Sequence, residues 1–143
     1  MFRPGRKRKA GEEPKTFRTH TIKGIKKGVL HSLLTSGAST YPNEFGGILR
    51  SEDPGIITDM LLIPGTTAGH RHANFQLYML PVDLTVVGTA HSHPSGALHP
   101  SDEDLTLFRH WGRIHIILGN PFRPWCWKAY NNSGDEVKLA VVD

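Results

Sequence analysis

Cysteine is nearly absent from this chain, whose 143 residues include a single one, Cys126. One thiol excludes an intrachain disulfide framework and a zinc site built from several cysteines. Long apolar runs are missing too: none approaches the roughly 20 residues that cross a bilayer, and none follows the basic start as a secretory signal requires. With 38% hydrophobic residues, we expect one soluble, cytoplasmic domain.

Acidic residues are scarce in the first 28 residues, which hold ten of the 17 lysines and arginines against two glutamates, a net charge of +8. The other 115 residues carry −4. Because residues 1–16 contain almost no apolar side chains, we predict a disordered basic tail there and a folded domain over 17–143. Such a tail can bind nucleic acid or an acidic partner, and a solubilising extension is the simpler alternative.

Hydrophobic periodicity predicts a mixed α/β (α+β) domain. One amphipathic helix is expected from Lys23 to a stop at Gly37, and a second from Ser101 to about Trp111. Residues 131–134 have the composition of a hairpin turn. Alternating or apolar runs predict strands at 17–22, 44–49, 56–63, 73–80, 84–93, 114–119, 125–130 and 137–142. Strands outnumber helices, so we expect one central, mostly antiparallel or mixed sheet flanked by helices.

Nine histidines are the unusual count in this composition, and histidine is the common zinc ligand. His91 and His93 end the strand predicted at 84–93, and residues two apart on a strand point the same way. Asp104 lies in the first turn of the second predicted helix, so a strand, loop and helix in this order can fold its carboxylate over both imidazoles. Three protein ligands and an open fourth position are typical of a catalytic zinc site.

Each part of this pattern also has a purely structural interpretation. A His-x-His pair on a strand often binds no metal, and Ser101-x-x-Asp104 resembles a helix capping box with Asp in place of Glu. The two roles of Ser101 are compatible, because a cap fixes where its side chain points. His70 and His72 repeat the spacing without a nearby carboxylate, so we interpret them as a strand or loop edge lining a substrate groove.

Residues 91–96 read His-Ser-His-Pro-Ser-Gly and residues 100–104 read Pro-Ser-Asp-Glu-Asp. Together they resemble the His-x-His, ten residues, Asp signature of the JAMM (MPN-plus) zinc metalloproteases, and Glu44 matches the position of that family's catalytic glutamate. The similarity covers roughly residues 20–142. It implies the family's mixed sheet flanked by helices, and one zinc ion per chain held by His91, His93 and Asp104. Glu44 would then carry the proton, and Ser101 would donate to the oxyanion.

The resemblance also implies a substrate class. Family members are proteases or isopeptidases, many of which remove ubiquitin or ubiquitin-like proteins from lysine. Compact prokaryotic members act on small ubiquitin-like or sulfur-carrier proteins. We therefore expect cleavage after a terminal Gly-Gly, with residues 69–76 forming one wall of a groove that captures the tail by strand addition. Gly46 and Gly47 beside Glu44 suit either a close approach of the substrate backbone or a strand bulge.

Two other functions remain open at this stage. DNA-repair-associated proteins carry a similar domain, and the basic tail would then be a nucleic-acid arm, although the acidic body shows no basic stripe. A non-catalytic scaffold of the same fold is the third possibility. Such scaffolds typically lose ligands, whereas this chain retains the complete set.

Overall fold

The computed structural model describes residues 20–63 and 84–143. The elements in these segments are β1 (Gly24–Lys26), α1 (Lys27–Thr40), β2 (Gly46–Arg50), β3 (Ile56–Ile57), β4 (Asp59–Leu62), β5 (Val86–His93), α2 (Asp102–His110), β6 (Ile114–Gly119), β7 (Trp127–Tyr130), β8 (Glu136–Val137) and β9 (Ala140–Val142). Neither of these two helices is long and apolar enough to cross a bilayer. The predicted tail at 1–16, the strand at 73–80, His70 and His72 lie outside the described residues.

Within residues 20–63 and 84–143, six strands form the main sheet, in the order β4-β2-β5-β6-β7-β8. β5 and β6 run parallel, and every other neighbouring pair in this sheet is antiparallel. A small sheet of three parallel strands has the order β3-β1-β9. The predicted single mixed α/β domain is confirmed, and its central sheet is mixed in direction.

The main sheet lies between α1 and α2, each of which packs on its own apolar core. On one face, Leu33 of α1 packs in a cluster with Ile116 of β6. On the other, Phe108 of α2 packs with Ile48 of β2 and Ile117 of β6. Because successive strand residues point to opposite faces, Ile116 and Ile117 belong to different cores. The face covered by α2 is the one that carries the predicted site.

A bulge in β5 sets which of its residues face α2. Leu49 pairs with Gly88 and Arg50 with Val86, so Val87 has no partner in β2. An extra residue of this kind shifts the alternation of a strand by one position. Beyond the bulge, the alternate residues of β5 that include both candidate histidines face α2.

The first helix differs from its prediction at both ends. Residues 24–26 form β1 in the small sheet, so α1 begins at Lys27 instead of Lys23. It continues to Thr40 through Gly37, the predicted stop. Gly37 is required by packing, because a Cβ added there would lie 2.6 Å from the ring of Phe122. The strand expected at 17–22 is also wrong where it is described, since residues 20–22 precede β1 and belong to no strand.

Two predicted strands are each divided between the sheets. The run at 56–63 contains β3 of the small sheet and β4 of the main sheet, and the run at 137–142 is similarly split between β8 and β9. An alternation of apolar and polar side chains predicts an extended backbone, but it does not indicate which strand will be the partner. The hairpin turn expected at 131–134 does connect β7 to β8, with Gly134 at a φ of 86°.

Candidate metal centre

His91 and His93 lie at the carboxyl end of β5, between β2 and β6 in the middle of the main sheet. Their rings face α2, with centroids 5.0 Å apart and Nε2 atoms 3.2 Å apart. His91 is completely buried, whereas 15% of the His93 side chain is exposed. The pair therefore stands at the edge of the core, reachable from solvent on the His93 side.

Asp104 completes this cluster from the first turn of α2, and it is completely buried. Its Oδ1 lies 3.0 Å from Nε2 of His91 and its Oδ2 lies 3.0 Å from Nε2 of His93. Burial by itself would raise the pKa of Asp104, but the hydrogen bonds from the two rings hold that pKa well below its usual range. The carboxylate is therefore ionised at neutral pH. We call these three residues the His–His–Asp centre.

The geometry of the His–His–Asp centre fits a tetrahedral divalent ion. With zinc–ligand bonds of about 2.0–2.2 Å, the edges of such a tetrahedron are roughly 3.3 Å. The two Nε2 atoms are 3.2 Å apart, close to that value, and one ligand atom from each of the three residues lies within 4.8 Å of the others. Nδ1 of His93 lies 2.9 Å from the carbonyl oxygen of Ala97, which can only accept. With a metal in the centre, this contact would keep the proton of the neutral ring on Nδ1, so that Nε2 would bind the ion in place of donating to Asp104, as in metal-binding histidines.

Ser101 is the N-cap of α2 and is tied to the centre through Asp104. Its Oγ accepts from the Asp104 N–H at 3.1 Å, and its own N–H donates to Asp104 Oδ2 at 2.9 Å. The predicted capping box is confirmed. The cap uses the Ser101 oxygen as an acceptor, so the hydroxyl of this exposed residue retains its proton for donation to a ligand.

Glu44 stands just before β2 and is partly buried. Gly46 of β2 pairs with His91. Extended by two residues, the same antiparallel register puts Glu44 across from His93, on the face that carries both histidines. Within the part of the chain that the structure describes, the group able to hold a metal consists of the His–His–Asp centre without Glu44. That arrangement suits a base beside the ligands.

Ser92, between the two histidines, fastens β5 to the segment that carries Glu44. Its Oγ accepts from the Phe45 N–H at 2.8 Å, and its N–H donates to the Phe45 carbonyl at 3.0 Å. Ser92 is completely buried, so both bonds are shielded from water. The residue that separates the histidines in the motif therefore holds the catalytic candidate at their side.

The two glycines next to Glu44 face opposite sides of the sheet. Gly46 shares the face of its partner His91. A Cβ on Gly47 would lie 3.2 Å from both the Leu61 carbonyl oxygen and the Phe45 ring, on the side of the α1 core. The expectation that both glycines admit a substrate is therefore wrong for Gly47. A bulge at these glycines is also wrong, because the irregularity between β2 and β5 lies further along β2.

A buried layer beneath the centre was not identified from the sequence. His115 is completely buried in β6, and its Nε2 donates to the Gly112 carbonyl at 3.2 Å. Its Nδ1 accepts from the Thr89 hydroxyl at 2.7 Å, and its ring stacks on Phe108 at 4.3 Å. Burial lowers the pKa of His115 to about 3, so this ring is neutral. No local pattern marks it, since it depends on the pairing of β5 with β6.

Comparison with known proteins identifies the family to which this chain belongs. The chain matches the family described as prokaryotic homologs of the JAB domain over residues 26–130. That range contains Glu44, Ser101 and the whole His–His–Asp centre. The chain belongs to the prokaryotic JAB family.

Relatives of this JAB-family chain include a probable metalloprotease and proteins of solved structure. A probable metalloprotease from Haloferax volcanii is 40% identical over 136 residues, which cover 89% of this chain and 84% of the relative. A JAB1/MPN domain protein from Archaeoglobus fulgidus is 34% identical, with a TM-score of 0.69 over 84% of this chain and 99% of that one. A structure described as a metalloprotease-like zinc site in the proteasome and signalosome, also 34% identical, has a TM-score of 0.68 over 86% and 100%. The JAMM-type metalloprotease family predicted from the motif is confirmed.

Proposed function

We propose that this JAB-family protein is a zinc-dependent isopeptidase that hydrolyses the bond after the terminal Gly-Gly of a small ubiquitin-like or sulfur-carrier protein. The observation that carries the proposal is the His–His–Asp centre, in which two imidazole nitrogens and an ionised carboxylate converge within 3.0–3.2 Å. A cytoplasmic location and one zinc ion per chain belong to the same proposal.

Three residues hold the metal in this proposal: His91 and His93 through Nε2, and Asp104 through its carboxylate. When bound, zinc supplies a Lewis acid that polarises a carbonyl and makes water acidic near pH 7. The donor set supports zinc, because two imidazoles and one carboxylate are typical of catalytic zinc sites. The partial exposure of His93 gives a substrate access to the centre.

Glu44 is the general base and then the general acid. It removes a proton from the attacking water and delivers that proton to the leaving amine. Its position supports this role, because extending the β2–β5 register by two residues brings Glu44 across from His93, outside the group of residues able to hold a metal. Ser101 donates its hydroxyl proton to the carbonyl oxygen as negative charge develops there.

The substrate class rests on the absence of a side chain at Gly46. This residue has no side chain and pairs with His91, so an extended chain meets no Cβ at that position of β2. A diglycine tail has no side chains either and would lie flat against this strand. The groove wall predicted at residues 69–76 lies outside the described residues and stays a prediction.

The test combines metal analysis of the purified protein with cleavage of ubiquitin-like conjugates that carry a C-terminal Gly-Gly joined to lysine. We expect zinc near one per chain and cleavage that Glu44→Gln abolishes. A conjugate with leucine in place of the last glycine should be cleaved at least about tenfold more slowly, because its side chain would be forced against the strand. Equal rates for glycine and leucine would contradict the proposed specificity and favour a broader peptidase.

A further inference from the structure

Tyr130 of β7 lies two strands away from the candidate histidines, yet it contacts the helix that carries Asp104 and the loop that leads to that helix. The residue is buried, at 5% exposure. Its ring lies 6.0 Å from the ring of Phe108 in α2, with an interplanar angle of 23°. Its hydroxyl donates to the carbonyl oxygen of Leu98 at 2.7 Å, in the loop between β5 and α2. One side chain thus joins the helix and the loop.

The Tyr130 hydroxyl holds the loop at Leu98, the residue that follows Ala97, whose carbonyl contacts His93. The Ala97 carbonyl faces Nδ1 of His93 at 2.9 Å, and the following carbonyl, that of Leu98, accepts from Tyr130. Peptide groups are planar, so only the φ and ψ angles of Leu98 separate these two carbonyls. Holding the Leu98 carbonyl therefore restrains the direction of the Ala97 carbonyl, which sets the tautomer and the orientation of the His93 ring.

The ring contact acts on the helix. Phe108 follows Asp104 by four residues, so the two side chains lie on the same face of α2. Phe108 stacks on His115 at 4.3 Å and lies beside the Tyr130 ring, which together locate α2 over the sheet. The reach of Asp104 to the two histidines depends on where this helix lies.

We propose that Tyr130 is a positioning residue for the His–His–Asp centre. Its ring locates α2, and its hydroxyl holds the loop so that the Ala97 carbonyl keeps the His93 proton on Nδ1. The inference rests on the proposed role of the centre in binding zinc. Tyr130 takes no part in the chemistry and acts through His93 and Asp104.

The experiment compares Tyr130→Phe with Ser51→Ala. Each variant removes one hydroxyl that donates to a backbone carbonyl at 2.7 Å, but Ser51 bonds the Asp53 carbonyl in the chain beyond β2, away from the centre. We expect similar drops in melting temperature for the two metal-free variants. Zinc affinity, measured by competition with a chelator, should fall about 10- to 100-fold in Tyr130→Phe and stay within about twofold of wild type in Ser51→Ala.

A second readout follows the loop itself without metal. The Gly96 amide donates to the His93 carbonyl and the Ser101 amide donates to Asp104. In metal-free Tyr130→Phe both amides should exchange with solvent faster than in wild type, whereas amides between β5 and β6 should not. Unchanged zinc affinity and unchanged exchange would overturn the positioning role alone. Failure of the wild type to bind zinc would overturn the metal assignment, and the inference with it.

Discussion

At the scale of single residues, Asp104 serves the helix and the centre with the same carboxylate. Oδ2 accepts the Ser101 N–H of the capping box and also faces His93, while Oδ1 faces His91. The cap therefore fixes the rotamer that the centre needs. The structural and functional interpretations of this residue, which compete in the sequence, describe one arrangement.

Variants of the proposed metal ligands should lose zinc, whereas a variant of the proposed base should retain it. His91→Ala, His93→Ala and Asp104→Ala are each expected to lower zinc occupancy and abolish hydrolysis, because each removes one of three donors. Glu44→Gln should retain zinc and the fold but lose activity by about 10²- to 10⁴-fold, since it removes only the proton carrier. Metal analysis and circular dichroism of the four variants check this. Loss of zinc in Glu44→Gln would show that Glu44 is a ligand.

His115 should make stability depend on pH. Its pKa is about 3 in the folded protein against an ordinary value of 6.5. Below pH 6.5 the unfolded chain takes up a proton that folded His115 does not, so the free energy of unfolding falls as pH drops toward 3. The slope is at most about 1.4 kcal/mol per pH unit, and it falls to nearly zero about one pH unit above 6.5.

The matched variant for this prediction is His115→Gln, which is neutral at every pH. Denaturant unfolding of both metal-free proteins between pH 4 and 7 should show that the free energy of unfolding depends less steeply on pH in the variant. The other titrating groups are the same in both proteins, so their contributions cancel in the comparison. Parallel curves for the two proteins would mean that His115 becomes protonated in the folded state.

At the scale of elements, the proposed mechanism gives the N-cap of α2 a role in both stability and catalysis. Ser101→Ala should cost about 1 kcal/mol of unfolding free energy and lower kcat about 100-fold, because it removes both the cap and the proposed donor. Ser101→Gly retains most of the capping preference without a hydroxyl, so it should lose kcat with a stability change of only a few tenths of a kcal/mol. Ser101→Thr should preserve both. Wild-type kcat in the glycine variant would exclude the donor role.

The parallel pair of β5 and β6 requires glycine at one position. A Cβ on Gly88 would overlap the carbonyl oxygen of Ile114, so Gly88→Ala must open the sheet next to the bulge. We expect a loss of about 3 kcal/mol in unfolding free energy. Gly28→Ala in α1 is the control, because a Cβ there meets nothing within 4 Å and alanine favours helix. Denaturant unfolding should rank the control at or above wild type and Gly88→Ala far below it.

At the scale of the whole molecule, charge is concentrated at the start of the chain. Residues 1–16 carry +4, which equals the formal charge of the entire protein, so their removal leaves no net charge. Deleting residues 1–16 should leave the free energy of unfolding and the zinc content unchanged, because the segment has almost no core-forming side chains.

If the tail binds nucleic acid, the full chain should bind DNA or RNA with an affinity that falls steeply as the salt concentration rises, and the truncated chain should not bind. Equal binding by both forms would place the basic surface in the folded body.

The local features of this protein follow from the sequence, because neighbours in the chain decide them. Period-two spacing puts His91 and His93 on one face of a strand, and a cap residue three positions before Asp104 begins α2. The sheet in which each strand lies, and the layer under the centre, were decided only by tertiary structure. His115 meets Thr89 across 26 residues and Tyr130 meets Leu98 across 32, and no periodicity in the sequence encodes such pairings. These residues come together because the sheet buries an apolar core on each of its faces.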